Sequence, residues 1–229
     1  MIVKGRAALL APAAFALGWA GYAALSWSTY GRPHRTDDPL LDRFMPDYEV
    51  SVQHDLRADV PVEFAFAAAC NLDIGRSWLV RALFRARELL LRAPHDASPL
   101  PSSFLAQAPA LGWQILGERD GREVALGTVT RPWEKSVAFH AVDPRRFAAF
   151  DAPGYVQIAF SIGAEPLGAD AALLRTTTRV RTTDPRTRAT FRLYWAAFSP
   201  GIALIRQALL RVARDEAEKA FRRDPSLDR

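Results

Sequence analysis

DPRTRATFRLYWAAFSPGIALIRQALLRVARDEAEKAF, residues 184–221, decides the architecture of this chain. Its apolar side chains Phe191, Tyr194, Trp195, Phe198, Ile202, Ile205, Leu209 and Val212 recur every three or four positions, the spacing that lines one side of a helix. Arg188, Arg192, Arg206, Arg211 and Arg214 read as the opposite, solvated side. Thr183-Asp184-Pro185 marks the start, a capping side chain followed by a proline whose missing N–H costs nothing there. Ser199-Pro200-Gly201 predicts a kink or a division into two helices. A stripe that begins with four aromatics needs a broad apolar surface to lie on.

The segments before it read as strands able to provide that surface. Tyr48 to Arg57 alternates, with Tyr48, Val50, Val52, His54 and Leu56 on one face and Glu49, Ser51, Gln53, Asp55 and Arg57 on the other. Trp113–Arg119 and Glu123–Arg131 flank Asp120-Gly121, a hairpin signal. A short strand is expected near Val137–Ala141. Tyr155–Glu165 and Leu173–Thr183 are longer ones, joined by a turn at Gly168–Asp170. Between the first strand and the hairpin lie two helical patterns. One runs from Pro61 to Cys70. The other runs from Ser77 to about Leu91, with Trp78, Leu79, Ala82, Leu83, Ala86, Leu89 and Leu90 expected inside and Arg81, Arg85 and Arg92 outside. Asn71–Gly75 breaks the pair, and Ala93–Ser103, with three prolines, reads as a loop. The order of elements predicts an α+β fold in which a curved antiparallel sheet wraps around a long C-terminal helix.

The first thirty residues are different in kind. Ala7 to Trp27 holds no charged side chain and is about the ~20 residues that a helix needs to cross a bilayer core. Lys4 and Arg6 precede it, Arg32 and Arg35 follow, and Trp27 and Tyr30 suit an interfacial belt. The expected organisation is an N-terminal transmembrane anchor over residues 1–30, a tether over 31–46 rich in Pro and Asp, and a folded domain over 47–224. A cleaved signal peptide and a buried soluble helix are the other two readings of the segment. Similar positive charge at both ends leaves the orientation in the membrane open.

Composition narrows the function classes. Of 229 residues 49% are hydrophobic and 24% charged, as in ordinary globular chains. The single cysteine, Cys70, excludes an internal disulfide framework and multi-cysteine zinc sites. The net charge of +5 is almost all arginine and spread along the chain, with acids interspersed. No nucleic-acid partner is therefore expected, since the aromatics that might stack on bases sit on the inner stripe of a helix.

PDYEVSVQHDLRADVPVEFAFAAA (46–69), FAAFDAPGYVQIAFSI (147–162) and TRVRTTDPRTRATFRLYWAAFSPGIALIRQALL (178–210) resemble bacterial members of the START-like superfamily, also described as SRPBCC or polyketide cyclase/dehydrase and lipid transport proteins. The resemblance spans roughly Asp47 to Phe221. It implies the helix-grip fold and a cavity between sheet and long helix for a hydrophobic molecule. It implies no single reaction and brings no catalytic residue set.

On that basis the expected function is a membrane-anchored binding domain for a lipid or other hydrophobic small molecule. A cyclase- or hydratase-like enzyme and an interaction module with a filled interior are the alternatives. The expected lining is His54, Leu126, Thr128, Ile158, Phe160, Thr176, Thr178, Phe191, Tyr194, Trp195 and Phe198. His54 stands out as a polar residue on the apolar face of its strand, suited to anchor a ligand group or act as a base; a strand-end histidine bonded to backbone is the plainer reading. His34, His95 and His140 lie in the tether, in the proline-bearing loop and at the end of a short strand. No spacing of histidines with carboxylates suits a metal, and no nucleophile elbow or phosphate loop is present, so no metal, cofactor or catalytic residue is assigned. Cys70, at the end of AFAAAC, reads as a packing residue. Thr128, Thr130, Thr176 and Thr178 could offer hydroxyls to a ligand, or simply reflect the preference of threonine for strands. Arg131-Pro132-Trp133-Glu134 fits either the mouth of the cavity or a turn that ends a strand.

Overall fold

The computed structural model describes residues 3–73, 77–92, 103–119 and 121–224. In chain order the elements are α1 (Val3–Thr29), α2 (Pro39–Asp42), β1 (Val50–Ala58), α3 (Val62–Cys70), α4 (Trp78–Leu90) and α5 (Phe104–Gln107). There follow β2 (Gln114–Arg119), β3 (Glu123–Thr130), β4 (Phe139–His140), α6 (Pro144–Phe147), β5 (Val156–Pro166), β6 (Ala172–Thr182) and α7 (Pro185–Phe221). Strands run in the spatial order β1-β6-β5-β3-β2, with β4 paired to β3, and every pairing is antiparallel.

Register follows the alternation of the sequence. Val52, Thr178, Phe160 and Leu126 form one row across β1, β6, β5 and β3, and His54, Thr176, Ile162 and Val124 form the next. This face meets α7 and α3, and its core gathers Val60, Ala65, Leu126, Phe160, Leu174, Leu210 and Ala217. A period of two brings these residues to one side, and the long helix covers them. The α+β helix-grip arrangement is thus what the chain adopts.

α7 begins as expected. Asp184 caps it, accepting from the Thr187 backbone N–H at 2.9 Å and the Thr187 hydroxyl at 2.6 Å, and its second oxygen also takes the Gly154 N–H at 2.7 Å. Of the kink or division expected at Pro200, the division does not occur, and one helix of 37 residues runs through Ser199-Pro200-Gly201. Proline lacks the donor that Ala196 would receive, and a neighbouring helix supports the weakened stretch. The Trp19 indole of α1 donates to the Ala197 carbonyl at 3.1 Å, and Ser26 and Ser199 pair their hydroxyls at 2.8 Å in a buried contact.

The segment expected to be a tether is instead part of the fold. Leu40, Leu41 and Met45 are buried on the outer face of the sheet against Leu116, Ala125, Phe147 and Ala159. Asp38 caps α2 through the Leu41 N–H and accepts from the buried Ser161 hydroxyl at 2.6 Å. Arg179, fully buried in the middle of β6, donates to Asp42 at 2.6 Å, to the Met45 carbonyl at 3.1 Å and to the Thr36 carbonyl at 3.0 Å, and lies over the Tyr48 ring. Prolines and aspartates that read as linker composition are capping and turn residues here. Gly127 allows the close approach on this face, since a Cβ there would fall within 2.6 Å of the Phe147 ring.

The anchor also differs from expectation. Among the described residues no helix is long and apolar enough to cross a membrane. The second half of α1 packs along α7, where Tyr30 meets Phe191 and Arg192 lies over the Trp27 ring at 4.0 Å. α4 forms where expected but turns differently. Val80 is buried, while Trp78, Leu89 and Leu90 are more than two-thirds exposed. Asp120, Gly75 and the loop 93–102 with His95 lie outside the described residues.

Candidate functional site between the sheet and the long helix

The interior between β1, β6 and α7 holds a cavity lined by Val52, His54, Thr178, Trp195, Ser199, Ile202, Ala203 and Arg206, with Tyr22 of α1 closing one side. Strand alternation places Val52 and His54 there, and their cross-strand neighbour Thr178 stands beside Val52. From α7, Trp195, Ser199, Ile202 and Arg206 arrive at spacings of four, three and four, one side of the helix.

Of the eleven residues expected to line a cavity, His54, Thr178 and Trp195 meet here. Leu126 and Phe160 are buried in the adjoining core. Ile158 and Phe191 pack in a cluster with Tyr30, Val50 and Val180. Tyr194 stacks between Phe191 and Phe198, so these aromatics contact one another rather than the cavity. The hydroxyls of Thr128, Thr130 and Thr176 are spent on backbone carbonyls: Thr128 on Gly112 and His140, Thr130 on Ala138, and Thr176 on Ser161. At these three positions the threonine hydroxyl serves the backbone. Arg131 to Glu134 forms the plain strand-ending turn, with Arg131 over the Tyr155 ring, and Trp133 packs on the Phe191 cluster.

A preformed cavity was the expectation, and the space found is much smaller. Its volume is about 10 Å³, room for about one water-sized sphere, against the ~300 Å³ at which ligand pockets begin. Tyr22, Trp195 and Ile202 are the bulkiest apolar side chains that close in on it.

The polar groups of the cavity are unusual. His54 Nε2 is buried and has no hydrogen-bond partner. Burial, and then the charge of Arg206, push the imidazole below its ordinary value, so it is neutral at physiological pH. Arg206 was expected on the solvated side of α7 but turns inward, with its guanidinium 4.5 Å over the Phe160 ring. The residue is half-buried, and desolvation lowers its pKa to about 10. Among the described residues no carboxylate lies within ion-pair distance of it. Position could have revealed this: Arg206 stands eleven residues after Trp195 and four after Ile202, on the inner stripe. Its charge, rather than its spacing, suggested the outside.

The remaining candidates take no part. His34 and His140 are exposed, the latter beside the Tyr155 ring. Cys70 is half-buried, and burial followed by the nearby Glu118 carboxylate pushes its thiol up to about 11, far from a reactive thiolate. Among the described residues no cluster of His, Cys, Asp or Glu is suited to a metal ion.

No protein-family model matches the sequence, and no curated protein matches it. Solved structures do show likeness. The di-domain aromatase/cyclase BexL of the BE-7585A biosynthetic pathway is 12% identical with a TM-score of 0.30, over 73% of this chain and 46% of that one. The Zhui aromatase/cyclase of Streptomyces sp. R1128 is 13% identical at a TM-score of 0.29, over 74% and 93%. Norcoclaurine synthase of Thalictrum flavum, crystallised with dopamine and hydroxybenzaldehyde, is 13% identical at 0.28, over 72% and 86%. The chain thus spans less than half of the di-domain protein. These are loose superpositions, and the helix-grip assignment rests on the strand order and on the seat of α7 across the sheet.

Proposed function

We infer that this domain binds a hydrophobic small molecule between the sheet and α7, without chemistry, and that α1 is the cover of the site. One observation carries the reading: a buried imidazole nitrogen with no hydrogen-bond partner, and a half-buried guanidinium with no acidic partner among the described residues, face one cavity. Buried polar groups are ordinarily satisfied, and the exceptions concentrate where a ligand completes the set. A ligand of ordinary size enters only if Tyr22 withdraws with α1. That helix is suited to leaving, because it is apolar on all sides and exposes Phe15, Leu17, Leu25 and Trp27 while it is docked.

Association with a membrane belongs to the same proposal. α1 and α4 flank α7 at Gly201, where Trp19 and Leu83 both approach. α1 exposes Phe15, Leu17, Leu25 and Trp27, and α4 exposes Trp78, Leu89 and Leu90 together with Arg81, Arg85 and Arg92. Apolar surface with basic flanks suits an anionic bilayer surface, to which α1 would transfer when it leaves α7. Membership of the START-like superfamily, which the sequence resembles, accords with this reading.

The test is uptake of a neutral apolar fluorophore, N-phenylnaphthylamine, by the full chain with and without anionic vesicles. Saturable uptake that vesicles enhance is expected, and no uptake in either condition overturns the reading. The small cavity volume favours a second reading, an interaction module with a filled interior, and the same negative result would support it.

A further inference from the structure

The geometry points to an amphipathic monocarboxylate as the ligand, its carboxylate gripped by Arg206 and its apolar body lying along Trp195 and Ile202 in the space that Tyr22 now fills. This rests on the ligand-binding reading above and names the class of molecule.

The charge count selects the head group. Among the described residues Arg206 is the one cation that lines the cavity, and no acid of the lining neutralises it. A half-buried guanidinium lying over an apolar ring without a counter-ion is a group that a bound anion would stabilise. Its planar fork matches the two oxygens of a carboxylate. His54, held neutral by burial and by Arg206, adds no second charge, but its buried Nε2 can donate one hydrogen bond as the Nε2–H tautomer. One positive charge and neutral donors suit a monoanion. A phosphate monoester, which carries nearly two negative charges, would remain uncompensated. Thr178, paired across the strands with Val52, lines the cavity from the sheet side, whereas the Ser199 hydroxyl is already engaged by Ser26.

The rest of the lining explains why the ligand must also be apolar. Val52, Trp195, Ile202 and Ala203 offer no hydrogen bonds from their side chains, apart from the indole N–H, so they exclude a sugar or nucleotide body. The Arg206 guanidinium lies 4.5 Å over the Phe160 ring, next to this apolar wall.

The experiment measures displacement of N-phenylnaphthylamine from the full chain by palmitate, by hexadecanol and by methyl palmitate, all below their aggregation limits. Palmitate is expected to compete roughly tenfold better than the two neutral analogues, the scale of one charge-assisted hydrogen-bonded pair. Arg206→Met should abolish that preference, and Arg206→Lys should retain part of it. The apo Arg206→Met chain should also melt no lower than the parent, because an uncompensated cation is removed; a lowered Tm would mark Arg206 as structural and overturn the proposal. Equal competition by acid and alcohol would reject the carboxylate while leaving a hydrophobic site standing. No binding of the fluorophore at all would remove the site itself.

Discussion

Ser26 of α1 and Ser199 of α7 share a buried hydrogen bond of 2.8 Å between their hydroxyls, one residue before the proline that weakens the long helix. The apolar N-terminal helix is therefore fastened to α7 where α7 is least able to satisfy itself. Removing either hydroxyl leaves the other buried and unpaired. Ser26→Ala or Ser199→Ala should each cost about 1–3 kcal/mol, whereas the double variant should cost less than the sum. Urea unfolding of the four chains measures the coupling, and strict additivity would show that the pair does not hold α1.

Arg179 fastens the segment 36–48 to the outer face of the sheet through one carboxylate, two carbonyls and the Tyr48 ring. Asp42 is more than half exposed, so the ion pair itself contributes modestly, and the burial of the guanidinium among carbonyls dominates. Arg179→Met should lower stability by about 2 kcal/mol and open residues 31–46 to proteolysis. Arg179→Lys should rescue little, because an ammonium does not reproduce the fork. An unchanged proteolysis pattern would show that the segment is held by its leucines alone.

Asp184 caps α7, and hydrogen bonds from Thr187 and then Gly154 hold its carboxyl at about 2, below its ordinary 3.8. A depressed folded value means that its contribution is present above pH 3.8 and is lost as pH falls toward 2. Asp184→Asn should flatten the acid limb of the stability curve in that window. Identical limbs for the two chains would exclude a role for the cap in acid unfolding.

Gly127 faces Phe147 and Leu116 so closely that a methyl group would overlap both. Gly127→Ala should destabilise by about 1–3 kcal/mol despite the better strand propensity of alanine, as overpacking of a closed core does. Thermal unfolding reads the sign directly. A raised Tm would mean that α6 yields without cost.

The strands and α7 were legible because alternation and three-and-four spacing report burial directly, as at Val50–Leu56 and Phe191–Trp195. The outer layer was not, because Pro39, Asp38 and Asp42 carry the composition of a linker while serving as cap and turn, and only the packing of Leu40, Leu41 and Met45 distinguishes the two. The face of α4 was misjudged because Trp78, Leu89 and Leu90 are apolar yet exposed, and hydrophobicity alone does not tell a core from a docking surface. In the site, His54 and Thr178 followed from strand parity, but Arg206 did not, since its charge outweighed its position on the inner stripe. The small volume could not be read at all, because it depends on Tyr22 arriving from a helix that the sequence alone places in a bilayer.

The cover claimed for α1 is tested most directly by a reversible crosslink. The double variant Ser26→Cys/Ser199→Cys replaces the buried hydroxyl pair with thiols that oxidation can join, and half-buried Cys70, its thiol pushed up to about 11, is a poor competitor. N-phenylnaphthylamine uptake is then compared between the oxidised and reduced forms of the same full chain. Saturable uptake when reduced and its loss when oxidised is the result expected. Equal uptake in both forms, or none in either, would contradict a ligand site closed by α1.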